Sequence, residues 1–164
     1  MWCEMMSPIA VKGLCSMSDW QSLGVHRYCI VDGIFWLETN GELGAESAHS
    51  LVEILIDLQH QRPDCATLVD VRGGISLPAS TRKILAGRSG EGSLPLPLAV
   101  VGANLPVRAV VTLLMNAIRL VMGRDVPMLF VAERGEAEDW LRTRARERGE
   151  RVRKLELEKQ RGSQ

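Results

Sequence analysis

The run Cys65-Ala66-Thr67-Leu68-Val69-Asp70-Val71-Arg72-Gly73-Gly74 narrows the possible folds more than any other part of the chain. It opens apolar and β-branched, which suits a strand covered on both faces. It closes in an acid, a base and two glycines, where the chain must leave a sheet and turn. In open α/β sheets, ligands and partners gather at such carboxyl ends. This one strand therefore predicts an α/β domain and places candidate function at one edge of its sheet.

The flanking segments predict how that sheet is built. His26 to Val31 and Ile34 to Thr39 are β-rich runs separated by Asp32-Gly33. A tight type I′ turn needs positive φ at both central residues, so this pair is a strong hairpin signal. A helix is predicted from about Leu43 to Gln59, with Ala48, Leu51, Val52, Leu55 and Leu58 on one face. Glu46, His49, Glu53 and Asp57 fall outside that face, and His49 and His60 read as solvated histidines. Ser76, as an N-cap, and Pro78 predict a helix running to about Ala86. Gly87 to Ser93 reads as a flexible loop. Leu96 to Val101 and Pro127 to Ala132 are the remaining strands, and Glu136 to about Arg148 is the last helix. The fold class is thus α/β, with a mixed sheet opened by an antiparallel hairpin and continued by alternating helices and strands.

The helix from Pro106 to Met122, capped by Asn104, has an unusual surface. Its polar residues Arg108, Thr112, Asn116 and Arg119 form one narrow stripe, and the rest is apolar. Such a helix is either deeply buried or covered by a partner. A homodimer contact is one reading of it.

The 164 residues suggest one domain, and 46% apolar content is enough for a core. Residues 1–25 show no clear period and read as a poorly ordered extension, with 1–16 only loosely held or not native and Met17 an alternative start. Residues 26–148 form the domain and 149–164 a charged tail. From Leu141 onward, nine Lys or Arg stand against four Glu, although the chain as a whole is neutral. Cys3, Cys15, Cys29 and Cys65 form no C-x-x-C pair, which reads as a reducing, cytoplasmic setting. No run approaches the roughly 18 uninterrupted apolar residues of a membrane span.

Several chemistries are excluded. There is no G-x-G-x-x-G, no G-x-x-x-x-G-K-[ST] and no G-x-S-x-G. A phosphatase-type Cys needs an Arg a few residues on, but six positions after Cys65 stands Val71. A metal-assisted phosphoacceptor needs further acids, and no acidic pair ends another predicted strand beside Asp70. Asp70 reads as the partner of Arg72 or of backbone N–H groups in the turn. Aromatics are 4% and do not interleave with basic residues, so nothing suggests nucleic acid. Trp36 and Trp140 read as core. No catalytic residue, cofactor or metal is expected.

The element order, with Asp32-Gly33 in the hairpin and Val69-Asp70-Val71-Arg72-Gly73 ending the third strand, resembles the STAS superfamily of anti-sigma factor antagonist-like domains. It looks more particularly like the small bacterial STAS-like proteins, over about His26 to Glu147. The resemblance implies a non-enzymatic regulatory module that docks a protein partner near the strand ends. The implied surface holds Asp70, Arg72, Gly73, Ser76, Ser80, Thr81, Gly102 and Asn104. It also implies a phosphorylated Ser or Thr at the start of the following helix, with Ser80 nearest. The superfamily's Asp-Ser-Ser-Gly signature is absent; Pro78-Ala79-Ser80-Thr81-Arg82 stands there. A related CRAL-TRIO type implies the alternative, a lipid-like apolar ligand between sheet and helix, with loop 87–93 opening the pocket.

Overall fold

The computed structural model describes residues 19–88 and 95–162. The expectations for residues 1–16 and for most of the loop Gly87 to Ser93 lie outside them. Twelve elements follow in order: β1 (Gln21–Leu23), β2 (His26–Val31), β3 (Ile34–Glu38), β4 (Gly41–Glu42), α1 (Ala45–Gln61), β5 (Ala66–Asp70), β6 (Ile75–Ser76), α2 (Ala79–Arg88), β7 (Leu98–Val101), α3 (Leu105–Met122), β8 (Met128–Val131) and α4 (Arg134–Gly162).

Six strands form one mixed sheet in the order β1-β2-β3-β5-β7-β8. The β2–β3 hairpin closes at the Val31–Ile34 pair. Asp32 at φ 52° and Gly33 at φ 80° make the expected turn with both central residues left-handed. From β3 onward every pairing is parallel, and parallel neighbours require crossover connections, which α1, α2 and α3 supply. β5 lies between β3 and β7 and is buried at four of its five residues.

The period of two along the strands splits the core between two faces. Cys29, Trp36, Leu68 and Val101 meet Ala137 and Leu141 of α4. Phe35, Leu37, Leu51 and Leu58 form the core under α1. Val71, Val100 and Val111 continue that side under α3. The three helices do not close completely on the sheet, and a cavity of about 190 Å³ remains between them. Cys65 is a buried free thiol.

Three departures from the sequence reading have local causes. β1 falls in a segment expected to be irregular; three residues carry too little period to read, and pairing with β2 creates the strand. Ser76 is not a helix cap. It ends β6, where its carbonyl accepts Leu43 N–H at 2.9 Å, and α2 starts at Ala79. The last helix does not stop near Arg148 but runs to Gly162. Gly149 looks like a terminator, yet a side chain there would press on Asp64 at 3.0 Å, so glycine serves close packing inside the helix. Past it, Glu, Lys and Arg are good helix formers.

Candidate functional site: the carboxyl edge of the sheet

β3, β5, β7 and β8 are parallel and end at one edge. That edge collects Asp70, Arg72, Gly73, Gly102 and Asn104, as the sequence suggested. It also collects Glu38 and Arg134, which the sequence reading missed. Asp70 ends β5 with its side chain only 5% exposed. Its carboxylate accepts the backbone N–H of Arg72 at 3.1 Å and Arg72 Nη2 at 2.6 Å. It also accepts Arg134 Nε at 2.9 Å and Nη2 at 2.7 Å. Arg134 Nη2 donates in addition to Glu38 Oε1 at 2.5 Å, and Arg27 Nε donates to Glu38 Oε2 at 2.5 Å. Five side chains from β2, β3, β5, the loop after β5 and the first turn of α4 thus form one chain of alternating charge.

Burial alone would push the Asp70 carboxyl up. The hydrogen bonds from Arg72 and Arg134 outweigh burial and bring it down to about 2. A carboxylate held ionised this firmly is not a general acid or base near neutral pH. Its chemistry here is that of a latch joining the sheet to α4. Arg72 packs its aliphatic stem over Gly102, where a Cβ would collide with Arg72 Cγ, and φ of 75° at Gly102 also favours glycine.

The small sheet of β4 and β6 closes the connections above this edge. Thr39 Oγ1 donates to Gly74 O at 2.8 Å, and the His26 ring bridges Asn40 N–H and Glu42 O. Asn104 caps α3 as expected, accepting Val107 N–H at 3.0 Å.

The expected partner surface is therefore divided. Arg72, Gly73, Ser76, Ser80, Gly102 and Asn104 are exposed. Asp70 is consumed in the latch. Thr81 is fully buried, and its hydroxyl donates to Leu43 O at 2.7 Å, so it offers nothing to a partner or a kinase. Thr81→Val is expected to cost about 1–2 kcal/mol in urea denaturation, because it leaves the buried Leu43 carbonyl short of a donor. An unchanged midpoint would show that this bond does not hold α2 to the segment between β4 and α1. Ser80 is exposed in the first turn of α2.

Beside the edge lies the outer surface of α3. Only Val111, Leu114 and Ile118 of its 18 residues are buried. Leu105, Leu113, Leu120 and Val121 are 81%, 62%, 84% and 58% exposed. The sequence read α3 as apolar outside one narrow polar stripe; the structure shows which of its apolar residues are exposed. By length and composition it is the one described helix that could cross a membrane. Its inner face nevertheless packs on the sheet.

Among the described residues no group of three or more His, Cys, Asp or Glu could hold a metal ion. No family model matches the chain, and no curated protein matches it. Fold and edge define an α/β domain with a mixed six-stranded sheet, latched by ion pairs at its carboxyl edge.

Proposed function

We propose that this chain is a non-enzymatic interaction module of the STAS type, and that it self-associates through the outer face of α3. The observation that carries the reading is the exposure of Leu105, Leu113 and Leu120 on one helix. Contiguous apolar surface of this kind marks interaction sites on folded domains. Leu105, Ala109, Leu113, Ala117 and Leu120 recur at steps of four, four, four and three, so they share one side of the helix. Leu113 lies near the middle, and antiparallel packing of two copies about a twofold axis brings it against itself. The alanines on either side let the backbones approach.

The exposed residues of the carboxyl edge, Gly102 and Asn104, lead directly into this stripe, so one surface serves both. Within the reading, Ser80 is the switch position. A phosphate there meets the free N–H groups and the positive end of the α2 dipole.

Sedimentation velocity tests the reading. The wild-type chain is expected to sediment as a dimer at micromolar concentration, and Leu113→Asp as a monomer with unchanged thermal stability, because Leu113 is exposed in the protomer. A wild-type monomer, or a dimer indifferent to Leu113→Asp, overturns it.

A further inference from the structure

We infer that the cavity between the sheet and α1–α3 is a binding site for a small uncharged amphiphile, a single ring or short chain carrying one hydroxyl or carbonyl group anchored by Thr67. The inference stands on the cavity alone and does not depend on self-association through α3.

Thr67 is the second residue of β5 and is 6% exposed. Its backbone is satisfied, with the N–H donating to Pro97 O at 2.8 Å. Its Oγ1 is buried and finds no hydrogen-bond partner among the described residues. The side chain lines the cavity together with Leu37, Val69, Leu55, Leu114 and Met115. Valine has the same shape and would avoid burying a hydroxyl without a partner, so threonine here is unfavourable unless something in the cavity meets it.

Water is a poor candidate. A buried water needs two to four polar partners. Among the described lining residues the one polar side chain besides Thr67 is that of Gln59, whose Oε1 already accepts Arg148 Nη2 at 3.0 Å. Size narrows the ligand further. The cavity of about 190 Å³ somewhat exceeds the ~150 Å³ apolar cavity that takes up benzene. It is smaller than the roughly 300–1,000 Å³ of sites for drug-sized molecules. Among the described residues no charged side chain lines the cavity, so a carboxylate or ammonium would be buried there without compensation. What fits is a ring or short chain of hydrocarbon with one neutral polar atom placed at Thr67.

Acetophenone and cumene are a suitable pair of probes, nearly equal in shape and differing in the carbonyl. Binding is followed by NMR through the methyl shifts of Val69 and Leu114, in the wild-type chain, Thr67→Val and Thr67→Ser. Both probes are expected to shift these methyls in the wild type. In Thr67→Val the affinity for acetophenone relative to cumene is expected to fall about tenfold, the equivalent of one ordinary hydrogen bond. Cumene binding is expected to persist there, which shows that the cavity is intact, and Thr67→Ser is expected to restore the preference for acetophenone. If cumene binds but the ratio is the same in all three chains, Thr67 is not the anchor. If neither probe binds the wild type, the cavity is not a ligand site.

Discussion

Arg148→Met is expected to lower the unfolding free energy by about 3 kcal/mol and the melting temperature by roughly 6–12 °C for a domain of this size. Arg148 is 6% exposed, unusually buried for an arginine. Its Nη1 donates to Pro63 O at 2.5 Å, its Nε to Pro95 O at 3.3 Å and its Nη2 to Gln59 Oε1 at 3.0 Å. One guanidinium on α4 thus ties together the end of α1, the lead into β5 and the lead into β7. Burial pushes its own pKa down, so the head group is held against a desolvation cost. Methionine fills much of the space and removes that cost. It cannot donate, so the two carbonyls lose their donor, and each loss costs about 1–3 kcal/mol. Arg148→Lys keeps the charge, but its single ammonium lacks the planar fork that spans these acceptors, and it is expected to recover less than half of the loss. Guanidinium denaturation of the three chains checks this. If Arg148→Met matches the wild type, the arginine is buried but holds nothing together.

Arg148 also shows where sequence reading runs out. In the sequence it stands among Arg144, Arg146, Glu147 and Glu150 and looks like one more solvated helix residue. Its burial is set by the end of α1 and two loops, which precede it by up to 89 positions. The latch has the same character. The Asp70–Arg72 pair is legible because the two residues are two positions apart. Arg134 lies 64 positions from Asp70 and 96 from Glu38; the parallel register of β3 and β5 sets Glu38 beside Asp70, and the start of α4 brings Arg134 to both.

What was legible depends on local physics. The Asp32-Gly33 turn is written in the φ values those residues tolerate. The Asn104 cap is written in a side chain that can reach Val107 N–H. The long strands and helices follow from their apolar periods. β4 and β6, two residues each, have no period and exist through their pairing. The cavity beside Thr67 is a gap between packed elements, which no single segment encodes.

The latch yields the other large effect, and its sign follows from Asp70. The carboxyl is lowered from 3.8 to about 2 in the folded chain. A depressed carboxyl stabilises the fold above its unfolded pKa, and that stability is lost as pH falls toward the folded value. The wild-type chain is therefore expected to lose about 2 kcal/mol through this group between pH 4 and pH 2. Asp70→Asn removes the anion at every pH and leaves Arg134 facing Glu38 alone. Breaking a buried pair costs about 3–5 kcal/mol. Arg72 and Arg134 keep side-chain exposures of 52% and 34%, so both can rehydrate and the lower end, about 3 kcal/mol at pH 7, is expected. The two chains should then converge by about 2 kcal/mol as the pH is brought from 7 to 2, because acid removes from the wild type what the substitution has already removed. Urea denaturation of both chains at pH 7, 4 and 2 measures that convergence. Parallel stability profiles would show that Asp70 does not titrate in this window and that the two arginines do not hold its charge.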